Sequence, residues 1–228
     1  MRLCITTYLE QGRPYRALDF GSLADGPDGL THHDLLSDYQ VDMIGMDVQA
    51  GPNVDVVMKK PYRIPARANS FDLILTGSTF EHVPFFWASM LELARVLRPG
   101  GLIFLTAPSR GHKHAAVDLW RFYPDSMRAL AGFSGLQLRE AHTDFPPRLE
   151  GSRRLDYRKV GGRASYWGDT IGVFEKPRRY SRLIAVERIA VRWWANRIGG
   201  VASVPRAAPA PGRRRMFARL RDSDRANG

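Results

Sequence analysis

The chain has 228 residues, 44% of them hydrophobic and 25% charged, a length sufficient for one globular domain with a core and an appendage. One cysteine excludes an internal disulfide and a cysteine-rich zinc site, and the apolar runs are shorter than the ~18 residues that a membrane-spanning helix requires. The net charge of +11 is uneven, because 13 of the 34 basic residues but only three of the 23 acidic ones follow Pro177, so it describes the C-terminal segment rather than the domain.

Short apolar runs alternate with loops and helical patterns along the first 177 residues. Seven runs predict strands at 17–20, 43–46, 54–58, 71–76, 102–106, 136–141 and 172–175. Apolar residues at helical spacing predict a helix over 81–97, and Pro124 opens a second one over 124–131. Residues 1–14 are predicted to form a short leading helix or arm. Because strands and helices alternate, we predict an α/β domain over residues 1–177 with a mainly parallel sheet.

Two segments follow this domain. Residues 178–200 include a predicted basic amphipathic helix, and residues 201–228, rich in Arg, Pro and Ala, have too few apolar groups to fold and are predicted to be disordered. The predicted apolar face of the helix consists of Leu183, Ile184, Val191, Trp194 and Ile198, opposite Arg188 and Arg192. Such a helix would pack on the domain or on a second subunit, and a basic helix with tryptophans would also suit an anionic membrane surface.

A strand, a glycine-bearing loop, a second strand and an acid follow one another between residues 16 and 47. The loop carries Gly21 and Gly26, and Asp47 ends the second strand. Open α/β sheets bind nucleotide-like ligands at this edge, since glycines let the backbone approach and an acid can hold ribose hydroxyls. The interval from Gly21 to Asp47 is near the roughly 20 residues of such a pair. The same glycines would also serve as ordinary turn residues of any βαβ unit.

Five segments together resemble class I S-adenosylmethionine-dependent methyltransferases of the type 11-like kind. Residues 19–21 (DFG) resemble the start of the family's motif I, and residues 69–74 (NSFDLI) its fourth-strand signature. Residues 80–84 (FEHVP) resemble the Leu-Glu-His-Val element that follows, and 95–101 (RVLRPGG) the next helix-to-strand turn. Residues 118–125 (DLWRFYPD) are similar to a subgroup found among sugar and natural-product enzymes. The resemblance implies a Rossmann-like seven-stranded sheet with helices on both faces and S-adenosyl-L-methionine as the cofactor.

The resemblance also implies cofactor contacts from the loops at the carboxyl ends of the first four strands. These are Asp19, Gly21, Ser22, Gly26, Asp47, Val48, Tyr62, Ser78 and Glu81. Asp47 would hold the ribose, Tyr62 lies in the loop that passes the adenine ring, and Glu81 would line the methionine end or cap the helix that starts there. Relatives often carry an acid before Pro61, where this chain has two lysines, and an ammonium group can only donate hydrogen bonds.

The segment after the fifth strand faces the transferred methyl group in this fold, and it carries the predicted acceptor site. A hydroxyl is a poor nucleophile until its proton is removed, and a positioned base adds ~10²–10⁴-fold to the rate. We predict His114 as that base, because imidazole titrates near pKa ~6.5 and Asp118, four residues later, would orient the ring if the segment were helical. His112 is the second choice, and both histidines would otherwise lie on a solvated loop.

Three further residues of this segment, His112, Trp120 and Arg121, are predicted to contact the acceptor. Trp120 would hold a ring and Arg121 a phosphate or carboxylate; otherwise they are a packed aromatic side chain and a structural ion pair. Glu81, Asp118 and the two histidines could supply metal ligands. No spacing requires an ion, however, and we predict no metal.

These features predict a methyltransferase that O-methylates a sugar or a glycosylated or lipid-linked small molecule. An RNA or protein methyltransferase with a polyanion-binding tail is one alternative, although residues 76–79 (TGST) stand where amino-group enzymes carry an Asn-Pro-Pro-Tyr-type motif. A non-catalytic binding domain is another, whereas a dehydrogenase would need G-x-G-x-x-G. Without a secretory pattern we expect a cytoplasmic protein, peripheral at the inner membrane face if its helix binds lipid and a homodimer if it binds a second subunit.

Overall fold

The computed structural model describes residues 1–24, 31–143, 167–180 and 182–198, and one seven-stranded sheet organises them. The strands are β1 Tyr15–Phe20, β2 Val41–Asp47, β3 Val56–Val57, β4 Phe71–Gly77, β5 Leu97–Arg110, β6 Gln137–Thr143 and β7 Gly168–Glu175. Their order is β3-β2-β1-β4-β5-β7-β6. Neighbours from β3 to β5 pair in parallel, whereas β7 runs antiparallel to both of its neighbours. The predicted α/β fold with a mainly parallel seven-stranded sheet is confirmed.

Helices cover both faces of the sheet. The described residues form the α-helices α1 Arg2–Tyr8, α2 His32–Leu35, α3 Phe86–Val96, α4 Pro124–Ser134 and α5 Arg182–Ile198. Alternate residues of a strand point to opposite faces, so the central strands contribute to two cores. The core beneath α3 and α4 includes Leu18, Ile74, Leu93, Leu105 and Met127. The core on the α1 side includes Ile5, Leu73, Leu75 and Phe104.

The third and fifth strands are among those that differ in length from the prediction. The third strand is reduced to Val56–Val57 at the edge of the sheet, where it pairs with β2 alone. The fifth strand grows to the 14 residues Leu97–Arg110, because it pairs with β4 on one side and with the long antiparallel β7 on the other. Both differences reflect strand neighbours, which an apolar run does not reveal.

The helix predicted over 81–97 begins later, with α3. Residues Phe80–His82 form a 3-10 turn instead, and Val83 is extended with φ −99° and ψ 112°. Pro84 explains the break, because the residue before a proline is disfavoured in the helical region. The acid and the histidine of this turn therefore lie in the connection that follows β4, not on a helix face.

Helix α5 packs on the domain beside α3. Arg192 donates a hydrogen bond to the buried carboxylate of Glu92 at 3.0 Å, and Ala195 is fully buried in a cluster with Tyr62. The predicted faces were partly wrong, since Arg188 and Arg192 lie near Glu92 on the domain side and Ile198 is 51% exposed. A buried acid on another helix attracts these arginines, and the apolar periodicity of one segment cannot show this.

Two further predictions concern the C-terminal tail and the length of the apolar segments. The tail predicted to be disordered, residues 201–228, lies outside the described residues. Within the described ranges, every helix is too short or too polar to cross a membrane.

Candidate active site

The carboxyl ends of β1 and β4 meet at Gly21. This glycine has a φ of +78°, and a Cβ added to it would lie 2.2 Å from Oγ1 of Thr79. A residue with a side chain would therefore be strained by its backbone and would collide with the segment after β4. The loop after β1 thus lies against the chain that leads from β4 to Glu81, at the edge where open α/β sheets bind their ligands.

Asp19 holds this loop in place through hydrogen bonds with neighbouring side chains. It is only 1% exposed, and Nδ1 of His32 lies 2.7 Å from its Oδ1. The other oxygen accepts a hydrogen bond from Nδ2 of Asn53 at 3.1 Å, and the same nitrogen donates to the Ser22 carbonyl at 2.9 Å. Asp19 therefore positions the loop through its neighbours. His32 and Asn53 were not predicted, and only the Thr31 capping box would have placed His32 at a helix start.

Asp47 ends β2 with a partly buried carboxylate. Its two oxygens accept hydrogen bonds from the amides of Leu23 at 3.3 Å and Gln49 at 2.9 Å. Each carboxylate oxygen has a second lone pair, so the group remains able to accept from a pair of ribose hydroxyls. Nearby, Oγ of Ser22 is buried without a hydrogen-bond partner among the described residues. An acceptor for a diol, an orphaned hydroxyl and a glycine loop together fit a nucleoside-type cofactor.

The other residues predicted to contact the cofactor differ in how buried they are. Val48 is partly buried and packs against the core, and Ser78 is exposed with a φ of 47°. Gly26 lies outside the described residues. Tyr62 has 0% exposed surface, and its hydroxyl accepts a hydrogen bond from the Phe85 amide at 3.3 Å. The structure therefore corrects the prediction for Tyr62, which packs beneath α5 and offers no surface to an adenine ring.

Glu81 lies at the centre of the acceptor side. Its side chain is 0% exposed, and within the described part of the chain neither carboxylate oxygen has a hydrogen-bond partner. Nε2 of His82 lies 3.5 Å and Nε2 of His114 lies 3.8 Å from its Oε1. Burial raises the pKa of Glu81 to about 7. This acid neither caps a helix nor forms a close ion pair, and it faces two imidazole rings.

Hydrogen bonds at Nδ1 set the orientation of both rings. His82 donates from Nδ1 to the Val117 carbonyl, and Nδ1 of His114 lies 2.9 Å from Oδ2 of Asp118. With the proton assigned to Nδ1 in each ring, both Nε2 atoms keep a lone pair directed towards Glu81. The two rings are 4.9 Å apart and tilted by 63°. Residues after two different strands are thus brought together around one acid.

Asp118 contacts His114 even though the segment is a loop and not a helix. It also accepts hydrogen bonds from the His114 amide at 3.0 Å and from the Arg121 guanidinium. Burial alone would raise the pKa of Asp118, but the bonds from Arg121 and the amide lower it to about 2. Burial also lowers the pKa of His114, against the opposing effect of Asp118. The lowered pKa favours the neutral imidazole, in which Nε2 carries a lone pair.

The residues predicted to contact the acceptor differ in how exposed their side chains are. Arg121 donates to Asp118 and to the carbonyls of Trp120 and His112, so it forms the structural ion pair that was the alternative to its predicted contact with a phosphate or carboxylate. Trp120 donates from Nε1 to the Val83 carbonyl at 3.1 Å and remains 37% exposed. His112 is exposed, with its ring 5.8 Å from that of Trp167.

A cleft of about 290 Å³ opens near the carboxyl edge of the sheet. Its lining includes His32, Thr106, His142, Asp169 and Ile171. Trp167 links this cleft to the acceptor side, since it donates to the Asp169 carboxylate at 3.2 Å and its ring lies 4.9 Å from that of His114. The cleft itself lies beside α1 and α2, where Met1 and Leu35 complete its lining.

Sequence comparison finds methyltransferases among the similar proteins. Residues 31–105 match the family described as "Methyltransferase domain". A curated protein of Lysinibacillus sphaericus, named demethylmenaquinone methyltransferase, is 26% identical over 108 residues, which are 43% of this chain and 45% of that protein. The chain therefore matches less than half of this relative's length.

Solved structures share the fold at low identity. A candidate methyltransferase from Bacillus halodurans superposes with a TM-score of 0.54 and 13% identity, over 77% of this chain and 98% of that one. Phosphoethanolamine N-methyltransferase 2 of Haemonchus contortus, solved with S-adenosyl-L-methionine, gives a TM-score of 0.51 and 14% identity over 77% of this chain and 52% of that one. Residues 31–105 thus match a methyltransferase family model, and the chain shares the fold of these methyltransferase structures over about 77% of its length.

Proposed function

We propose that this methyltransferase domain transfers the methyl group of S-adenosylmethionine to a hydroxyl oxygen of a sugar, or of a glycosylated or lipid-linked small molecule. The observation that carries the proposal is the pair of His114 and Asp118, whose Nδ1 and Oδ2 atoms are 2.9 Å apart. This contact leaves Nε2 as a proton acceptor beside the buried Glu81. An acceptor hydroxyl needs such a group, because it is a poor nucleophile while it keeps its proton.

The chain's own residues would hold the cofactor at the edge described above. Asp47 would accept from the ribose hydroxyls, the backbone at Gly21 would approach the ligand closely, and Ser22 would offer its unpartnered hydroxyl. When bound, the cofactor supplies a methyl group on a sulfonium, which is electrophilic without further activation. Asp19 would keep the loop in place through His32 and Asn53.

The proposed reaction is one in-line displacement. The acceptor oxygen forms a bond to the methyl carbon as the carbon–sulfur bond breaks, and the electron pair of that bond stays on sulfur. The acceptor proton passes to Nε2 of His114. Asp118 then stabilises the imidazolium, because its carboxylate stays ionised at neutral pH.

The surroundings of this pair support an acceptor with both polar and apolar parts. Trp120 keeps an exposed face next to the polar loop, and His112 is exposed on the same segment. Amphipathic aromatic side chains bind ligands that combine apolar surface with polar groups. Helix α5 adds exposed Val186, Ile189 and Trp193 on its outer side, which supports a lipid-linked acceptor at an anionic membrane surface.

The test is a transfer assay with the full chain and S-adenosylmethionine labelled in its methyl group. Acceptor panels would comprise nucleotide sugars, glycosylated small molecules, lipid-linked glycans in detergent, total RNA and a protein extract. We expect label in a base-stable ether on one of the first three classes. Label confined to RNA or protein would overturn the small-molecule proposal, and absence of cofactor binding by calorimetry at millimolar concentration would make the domain non-catalytic.

A further inference from the structure

Three ligand-type atoms converge in the turn after β4 and the loop after β5. A carboxylate oxygen of Glu81 and one ring nitrogen each of His82 and His114 all lie within 4.8 Å of one another. Glu81 is 0% exposed, and both of its oxygens lack a hydrogen-bond partner in the described ranges. Leaving a buried carboxylate unpaired is costly. The orphaned group therefore points to a ligand that sits between it and the two rings.

Direct hydrogen bonds within the cluster do not satisfy Glu81. The two Nε2 atoms are 3.5 Å and 3.8 Å from Oε1, beyond the 2.7–3.2 Å of ordinary hydrogen bonds. A protonated glutamic acid would have the same difficulty, because its proton would still need an acceptor at bonding distance. Arg121, the nearest guanidinium on the acceptor loop, is committed to Asp118. An additional group between the three side chains resolves the deficit.

The outer contacts of both rings are those of metal-binding histidines. Each ring uses Nδ1 for a hydrogen bond, His82 to the Val117 carbonyl and His114 to the Asp118 carboxylate. A carbonyl or carboxylate at one nitrogen fixes the tautomer and makes the other nitrogen a better ligand. Both Nε2 lone pairs then face the space beside Glu81.

We propose that Glu81, His82 and His114 bind one divalent first-row transition-metal ion. Two imidazoles and one carboxylate suit Zn²⁺, Fe²⁺ or Co²⁺ better than Mg²⁺, which prefers oxygen ligands. Metal–ligand bonds of about 2.0–2.2 Å place neighbouring ligand atoms roughly 3–3.5 Å apart, so the cluster closes on an ion with shifts below ~1 Å. Three protein ligands leave positions open, as in sites where a substrate oxygen binds the ion.

This ion site changes one step of the proposed function, on which its role in methyl transfer rests. Nε2 of His114 would then be a ligand of the ion, and an open position would be left for the acceptor hydroxyl. A bound cation would supply Lewis-acid activation of that hydroxyl, whose proton would pass to solvent water. His114 is then a ligand and Asp118 a positioning residue for it. Binding of the ion is a separate property, which can be measured without any acceptor.

The experiment uses the full chain, stripped with a chelator, dialysed and titrated with Zn²⁺ by calorimetry and with Co²⁺ by visible absorption. We expect one equivalent of either ion and a cobalt spectrum with nitrogen and oxygen ligands. His82→Ala, His114→Ala and the isosteric Glu81→Gln should each weaken binding by more than ~10-fold. Asp118→Asn should weaken it by roughly 10–100-fold through the orientation of His114 alone.

His33→Ala is the matched control, because His33 is exposed on α2 and outside the cluster; this variant should bind the ion like the wild type. Melting curves of Glu81→Gln exclude loss of the fold as the cause of lost binding. Absence of stoichiometric binding by the wild type, or binding retained in Glu81→Gln and both cluster histidine variants, overturns the site.

If the wild type binds an ion but methylates none of the acceptors, the proposed function fails while the site stands. If the wild type methylates an acceptor in the presence of a chelator and binds no ion, the proposed function stands and the ion site fails.

Discussion

Two aspartate–histidine pairs lie at the carboxyl edge of the sheet, and their surroundings differ. Asp19 and His32 are joined at 2.7 Å, and the second partner of this acid is the neutral amide of Asn53. Asp118 and His114 are joined at 2.9 Å, and the second partner of that acid is the Arg121 guanidinium. The first pair ties down the cofactor loop. The second presents Nε2 of His114 to Glu81, and burial lowers the pKa of this imidazole against the opposing effect of Asp118.

The two pairs therefore lie in two parts of the proposed site, a cofactor region and an acceptor region. The cofactor region comprises the loop after β1 and the end of β2, with Gly21 and Asp47. The acceptor region comprises the turn after β4 and the loop after β5, with Glu81, His82 and His114. Each region can be damaged separately, so substitutions in one should alter cofactor affinity and substitutions in the other should alter turnover.

The largest effect is expected in the acceptor region. His114→Ala should lower turnover by about 10²–10⁴-fold, whether the imidazole takes the acceptor proton or binds an ion, while S-adenosylmethionine affinity changes little. Single-turnover rates and calorimetry measure the two quantities. His33→Ala, at an exposed position on α2, should leave both unchanged. Equal losses in rate and cofactor affinity would contradict the division into two regions.

A smaller effect is expected from Asp47→Ala in the cofactor region. Two hydrogen bonds from ribose hydroxyls to a charged group are worth ~1.5–3 kcal/mol each, so S-adenosylmethionine affinity should fall by about tenfold or more. The control is Asp42→Ala on the same strand, whose carboxylate is 77% exposed and pairs weakly with Arg16 at 3.9 Å. Calorimetry at constant salt checks both variants. An unchanged affinity in Asp47→Ala would remove this residue from the ribose site.

Two glycines with the same φ distinguish the cost of backbone strain from the cost of a steric clash. Gly12 and Gly21 both have a φ of +78°, but an added Cβ meets nothing within 4 Å at Gly12 and meets Thr79 at 2.2 Å at Gly21. Gly12→Ala should cost only the backbone strain of roughly 1–2 kcal/mol. Gly21→Ala should cost more and should also weaken cofactor binding. Urea unfolding and calorimetry measure the difference, which Thr79→Ala in the Gly21→Ala background should reduce. Equal costs at the two positions would mean that the loop adjusts freely.

The strands were predictable because they are local features. Apolar runs such as residues 71–76 appear in the sequence, and a buried parallel strand needs little more. The contact between His114 and Asp118 could also be predicted, since the two residues are four positions apart in the sequence. The cluster around Glu81 was not, because His82 and His114 meet only through the register that pairs Gly77 of β4 with Thr106 of β5. The contact between Asp19 and His32 likewise depends on a loop path that no spacing rule describes.

The smallest expected effect concerns α5, which adjoins the acceptor region alone. Its Trp194 ring lies 5.2 Å from that of Phe85, and Trp87 continues the aromatic chain to Trp120 at 6.4 Å. The outward Trp193 is 63% exposed. If the acceptor is lipid-linked, this side of the molecule should face an anionic bilayer, where each basic residue near the surface adds about 1 kcal/mol, screened by salt.

Trp193→Ala should therefore lower co-sedimentation with anionic liposomes by a few-fold, and lower turnover on a lipid-linked acceptor without changing it on a soluble one. Cofactor affinity should stay constant, because the cofactor region lies on the loops after β1 and β2. Val57→Ala serves as the control, since Val57 is 46% exposed on the edge strand β3, within the other half of the sheet. Liposome binding that is absent in the wild type, or equal in both variants, would leave α5 as a packing element only. The acceptor would then have to reach His114 from solution.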